Sequence, residues 1–135
     1  MLPITIQNSL IKSQEINEDV INLAAIINAE CGICDSLEQY LTGSVVLNRM
    51  DSDKYPDSMI GVLEEPNQFD GYNTPSFRPT VATLNVALNL LHGKGRDTTI
   101  IYFYARDSPN KIFKKNINKF VKYKLKYHNY ATCEN

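Results

Sequence analysis

The sequence has little that would commit it to a membrane, an export route or a covalent scaffold. No apolar run is long enough to cross a bilayer. Met1 to Leu10 shows no basic stretch leading into an apolar one, so no signal peptide is expected. The 3 cysteines are an odd number and too few for a disulfide framework. Neither sign of charge prevails, and a formal net charge of −1 argues against a dedicated nucleic-acid binder. Internal repeats and low-complexity blocks are absent as well.

What is there describes a folded chain. Hydrophobic residues make up 43% and charged residues 21%, which sets it apart from a disordered protein. A length of 135 residues suits one domain with one substantial core. The expected organisation is an N-terminal arm over 1–15 and a single domain over 16–135. The near-zero net charge hides an asymmetry: Glu15, Glu18, Asp19, Glu64 and Glu65 come early, while 111–126 is strongly basic.

Apolar positions Val20, Leu23, Ala24 and Ile27 recur at helical spacing, which predicts a helix over Glu18 to Glu30. Asn17 is placed to cap it, Ile16 and Ile21 have staple spacing, and Gly32 ends it. A second helix begins at Asp35 or Ser36, each of which heads a capping box, with Leu37, Leu41, Val45 and Asn48 on one face. It sets the surroundings of Glu30 and the pair Asn48-Arg49 at opposite ends. A short helix comes next over Ser58 to Leu63. The prolines and glycine of Glu64 to Pro79 predict a long irregular loop of the kind that forms binding surfaces. Val81, Leu84, Leu88 and Leu91 mark a third long helix ending near Gly93, and Thr98 to Ala105 reads as a strand. Ile112 to Tyr130 fits either a basic helix or strands.

Glu30 carries the first chemical signal. A carboxyl at a helix C-terminus faces the negative end of the dipole, so its ionised form is disfavoured and its pKa tends to rise. Such a group can hold a proton near neutral pH and deliver it to a leaving oxygen. A plain surface glutamate near a helix end is the competing explanation, and the residues downstream of Glu30 shift the balance.

The series Glu30-Cys31-Gly32, Gln39 and Val45-Val46-Leu47-Asn48-Arg49-Met50 resembles the cell wall hydrolase family of spore cortex-lytic (SleB-type) enzymes. That family shows Glu-Ala-x-Gly-Glu, then Gly-Gln, then an apolar run into Asn-Arg-Val. Tyr55-Pro56, Ile60 with Val62, Gln68-Phe69, Ala82, Ala87, Leu91 with Gly93, and Tyr102-Phe103-Tyr104 fall on its later elements, and His128 with Tyr130 on its end. The resemblance spans roughly Asp19 to Tyr130, and the ordered series carries it rather than any one motif. Cys34 stands where the family has its second Glu, Cys31-Gly32-Ile33 replaces Ala-x-Gly, and Glu38 precedes Gln39 in place of Gly.

The resemblance implies an α+β, predominantly helical, lysozyme-like fold with a small β-sheet, acting on the glycan strands of peptidoglycan. It implies Glu30 as the catalytic acid and no cofactor or metal. Cleavage by either two-carboxylate hydrolytic route needs a second carboxylate, for which Asp70, Glu64 and Glu65 are candidates. In a lytic transglycosylase the sugar's own 6-hydroxyl attacks and one Glu serves as acid and then base. The lack of a second carboxylate at fixed spacing favours the transglycosylase, with a muramidase-type hydrolase or a non-catalytic glycan-binding module as alternatives.

Other site candidates each have a structural counterpart. Gln39 either bonds substrate or a water near Glu30, or completes a capping box. Asn48 and Arg49 either bind sugar or hold the local fold. Gln68, Phe69 and Tyr72 either cover a glycan groove or fold onto their own loop. Tyr102 and Tyr104 alternate with Phe103, so one face of that strand can line a cleft.

Two rival readings stand beside this one. Cys31-x-x-Cys34 with His128 and Cys133 supplies four zinc-type ligands, though without finger spacing, and the same Cys pair could be redox-active. Lys111, Lys114, Lys115, Lys119, Lys122, Lys124 and Lys126 interleave with Phe113, Phe120, Tyr123 and Tyr127, a pattern that suits single-stranded nucleic acid, an anionic wall polymer or a solvated face. Small size and an Asn-, Lys- and Ile-rich composition suggest a bacteriophage lysin. Such a protein would gather in the host cytoplasm for holin-assisted release, or travel in the virion.

Overall fold

A computed structural model describes residues 17–132, with the side chains of Lys111 and Ile112 excepted. The arm over 1–15, Ile16 with its staple to Ile21, and Cys133 lie outside the described residues. Among those described, five helices and one three-stranded sheet run in the order α1 (Glu18–Cys31), α2 (Ser36–Asp51), α3 (Met59–Leu63), α4 (Val81–Leu91), β1 (Ile100–Ala105), α5 (Lys111–Ile117), a 3-10 turn (Asn118–Phe120), β2 (Val121–Lys124) and β3 (His128–Thr132).

Each helix starts where a short polar side chain can take an orphan amide. Asn17 Oδ1 accepts from Val20 N–H at 3.1 Å, Asp35 Oδ1 from Glu38 N–H at 3.0 Å, and Ser58 Oγ from Gly61 N–H at 3.0 Å. Thr80 and Thr83 form a reciprocal box at the head of α4. Pro66, Pro75 and Pro79 keep the stretch between α3 and α4 in a chain of turns. The ambiguous C-terminal segment is both helix and strand: α5 and its 3-10 turn lead into β2, and β3 returns.

The main core joins α1, α2, α3 and α4 through Leu23, Ile26, Ile27, Val46, Met59, Val62, Leu63 and Leu90. Gly43 sits where α2 crosses both α1 and α4, and a Cβ there would run into Leu90 and Ile27. A second cluster of Leu41, Val45, Ile100 and Tyr130 fastens α2 to the sheet. The sheet is antiparallel in the order β1-β3-β2, so the last strand is central.

On α2 the expected face is buried at Leu41, Val45 and Asn48 but not at its first residue, and on α4 the covered stripe differs from the expected one. Leu37 is 50% exposed, whereas its neighbour Glu38 is 1% exposed. On α4 the buried stripe is Thr83, Val86, Ala87 and Leu90, while Val81 is 80% exposed. In both cases periodicity places the right residues on a helix. Which stripe is covered depends on where the neighbours lie: Glu38 faces β3, and Ala87 and Leu90 face α1 and α2.

Candidate active site

Glu30 is the penultimate residue of α1, half-buried, and the turn after it is closed by Cys34 N–H to the Cys31 carbonyl at 3.0 Å. The 64–79 loop crosses this helix end at Gly71, where a Cβ would lie 2.6 Å from that of Ala29. Only a glycine permits that approach, and it lets the Gly71 N–H reach the Glu30 carboxylate. Burial raises the Glu30 pKa above its ordinary value, the Gly71 N–H opposes this, and the nearby charge of Asp70 adds to the rise. Burial is thus the main cause, beyond the helix-end argument from sequence.

Glu30 opens onto a cleft of about 780 Å³ between the helical body and the sheet. Arg49, Gln68, Asp70, Phe103, Tyr104 and Phe113 are among its lining residues. Although α2 separates them along the chain, Glu30 and Arg49 therefore face the same cleft. The Arg49 guanidinium lies 5.1 Å from the Tyr55 ring centroid and 5.4 Å from that of Phe69. Its Nε donates to the Ile101 carbonyl at 2.9 Å, and its buried Nη1 has no partner. Burial lowers its pKa, opposed by Tyr55, Tyr102 and Glu65. Tyr104 carries Lys114 above its ring and accepts a bond from Asn129 Nδ2 at 3.1 Å.

Other sequence candidates are committed elsewhere. Gln39 Nε2 donates to the Cys31 carbonyl at 3.2 Å, holding the end of α1 rather than closing a capping box. Asn48 Nδ2 donates to the carbonyls of Asp97 and Ile100 at 2.7 Å each, and its Oδ1 accepts from Arg96. Phe69 is buried and supports Arg49 and Phe103. The Tyr72 hydroxyl donates to Glu64 at 3.3 Å and its ring meets Phe77 edge-on. Tyr102 meets Phe113 edge-on. Of the basic run, Lys119, Lys122 and Lys126 each lie over the ring of the next residue, and Lys122 also pairs with Asp97.

Asp107, Ser108, Pro109 and Asn110 also line the cleft, and sequence reasoning missed them because only β1 pairing with β3 carries this loop to the mouth. His128, flagged by sequence for other reasons, lines the same cleft. Beneath it, Cys31 and Cys34 form a disulfide, with His128 Nδ1 3.8 and 3.9 Å from the two sulfurs and 3.2 Å from Glu38 Oε2. The zinc set expected from sequence included Cys133, which lies outside the described residues; Glu38 stands beside the other three.

The family model described as Cell Wall Hydrolase matches residues 35–131. The chain is similar to the catalytic domain of the germination-specific lytic transglycosylase SleB from Bacillus anthracis, at 20% identity and a TM-score of 0.67, over 87% of this chain and 97% of that one. It is also similar to the catalytic domain of the Bacillus cereus SleB protein, at 18% identity and a TM-score of 0.67, over 87% and 96%. No curated protein sequence matches it. The structural likeness establishes an α+β, lysozyme-like fold. The family match starts just after Glu30 and the Cys31–Cys34 turn, the stretch where the chain departs most from the family pattern. With the family model covering more than two thirds of its residues, the chain belongs to the cell wall hydrolase family and is a cell-wall-degrading enzyme.

Proposed function

We propose that the enzyme cleaves the glycan strands of peptidoglycan between N-acetylmuramic acid and N-acetylglucosamine, as a lytic transglycosylase with Glu30 as general acid and base. The observation that carries this is a half-buried carboxyl, its pKa raised by burial, in the wall of a cleft large enough for sugar rings. Protonated Glu30 would give its proton to the leaving glycosidic oxygen. The resulting carboxylate would then take the proton of the muramoyl 6-hydroxyl as that oxygen closes on C1. The Gly71 N–H suits the second step, since it stabilises the anion formed in the first.

In this reading Arg49, Gln68 and Tyr104, which line the cleft, meet the glycan. Phe69 and Tyr102 pack behind the wall residues Arg49, Phe103 and Phe113, Tyr72 stays on its own loop with Glu64 and Phe77, and Gln39 and Asn48 hold the helix ends that carry Glu30 and Arg49. The Bacillus anthracis neighbour is a lytic transglycosylase by description, which supports the choice. A hydrolase is the second reading, favoured by one observation: Asp70 lines the same cleft and acts electrostatically on Glu30.

Mass spectrometry of digests of purified peptidoglycan decides between them. Anhydromuramoyl products that vanish with Glu30→Gln are the expected result. Reducing-end products that vanish with Glu30→Gln would make it a hydrolase, with Asp70→Asn the next variant to test. Binding without cleavage by the wild type would make it a glycan-binding module. The further proposal of a phage-encoded lysin rests on size and composition, and secretion of the protein by an uninfected bacterium would overturn it.

A further inference from the structure

The four side chains under the cleft are of metal-binding types and come from separate parts of the fold. Cys31 ends α1, Cys34 lies in the turn, Glu38 is in the first turn of α2, and His128 opens β3. Their candidate ligand atoms all lie within 4.8 Å of one another. Nδ1 of His128 is 3.2 Å from Glu38 Oε2 and 3.8 and 3.9 Å from the sulfurs. Zinc bonds of about 2.0–2.3 Å in a tetrahedron put neighbouring ligand atoms about 3.3–3.7 Å apart, so these separations are already close to the edges of such a site.

We propose that Cys31, Cys34, Glu38 and His128 form a redox-gated zinc site, occupied when the cysteines are reduced and closed when they pair as the disulfide. A thiol reductant opens it: two reductant thiols are oxidised to their disulfide as the Cys31–Cys34 bond becomes two thiols. Zinc then displaces the two thiol protons and takes both thiolates, Nδ1 of neutral His128 and Oε2 of Glu38. Glu38 is prepared for this, because its other oxygen accepts the Tyr127 N–H at 3.1 Å and leaves Oε2 directed at His128. The site also accounts for a carboxylate and an imidazole held at 1% and 7% exposure on the floor of the domain, where a metal would neutralise what burial penalises.

The location gives the site a consequence. Cys31 adjoins Glu30, and His128 lines the cleft, so disulfide and zinc each pin the floor, while the reduced, metal-free state leaves only hydrogen bonds such as Gln39 to the Cys31 carbonyl and Glu38 to His128. The site does not depend on Glu30 being the catalytic acid.

Cobalt(II) is the probe, because thiolate-to-cobalt charge transfer and intense tetrahedral ligand-field bands report the ligands without reference to activity. The full chain would carry Cys133→Ser, so that no third thiol takes part, and be reduced with a phosphine. One equivalent of cobalt giving both bands, displaced by zinc and absent from the oxidised protein, is the expected result. Cys34→Ser should remove most of the charge-transfer intensity. Glu38→Gln, which keeps an acceptor for Tyr127, should keep the thiolate bands but weaken binding by roughly 10–100-fold or more. No tetrahedral band in reduced protein whose circular dichroism is native overturns the proposal. So does a Cys34→Ser variant that keeps the full band, or a Glu38→Gln variant that binds as tightly.

Discussion

Gly71 has a role out of proportion to its size. Its missing side chain lets the 64–79 loop lie against Ala29, and its N–H reaches the carboxylate next in the chain. Gly71→Ala would set a methyl group 2.6 Å from the Ala29 Cβ and 3.3 Å from its carbonyl carbon, so the loop must shift. A hydrogen bond to a charged group is worth about 1.5–3 kcal/mol. We therefore expect peptidoglycan turnover to fall by roughly 10–100-fold with secondary structure retained, measured by wall-suspension clearing beside circular dichroism. Wild-type turnover in the variant would remove the Gly71 contact from the mechanism. Glu30 itself was legible, since its place at the end of a capped amphipathic helix is local information. Asp70 was visible only as one acid among several, because nothing in the intervening chain says that the loop returns to α1.

At the scale of elements, the Asp97 carboxylate joins the connection between α4 and β1 to β2. Asp97 accepts from Thr99 N–H at 2.8 Å, Tyr123 Oη at 2.7 Å and Lys122 Nζ at 2.9 Å, tying the entry to β1 to β2. Burial pushes its pKa up, but the bonds from Thr99, Tyr123 and Lys122 outweigh this and hold it well below the usual carboxylate range. A depressed native pKa means that the unfolded chain binds the proton more readily. The stabilisation is therefore complete above the unfolded value of about 4 and is lost as pH falls further toward the native value. Asp97→Asn should lower the neutral-pH melting temperature and flatten its decline below about pH 4. Parallel acid-dependent melts that differ only by a constant offset would contradict this assignment.

Helix starts and the strand at 100–105 were readable because caps and β-branched runs act within a few residues. The covered face of α2 was readable at Leu41, Val45 and Asn48 but not at Leu37, and the covered stripe of α4 was not readable. Leu37 points outward and Glu38 inward because the chain entering β3, far along the sequence, supplies the Tyr127 amide and His128 as partners.

For the molecule as a whole, the cleft exists because a helical body and a three-stranded sheet meet along α2. Ile100, with no exposure, is central to that junction with Leu41, Val45 and Tyr130. Tyr130 adds a bond from its hydroxyl to the Glu38 carbonyl at 3.0 Å and accepts one from Thr42 at 2.7 Å. Ile100→Ala should cost about 2–5 kcal/mol, read from the urea midpoint. The transition should remain single, since helices and sheet share this cluster. Two separated transitions would show that body and sheet fold as independent units.

The sequence by itself determined the membership of a wall-degrading family, the capped helices, the irregular loop and Glu30 as the acid to test. All of these rest on residue order and on interactions spanning a few positions. Tertiary structure alone decided that Asp70, Arg49, Tyr104 and the 107–110 loop share one cleft with Glu30. It also decided that Glu38 and His128 lie against the Cys31–Cys34 turn. These groupings arise from which surfaces cover one another, and burial is set by distant neighbours that no local spacing encodes.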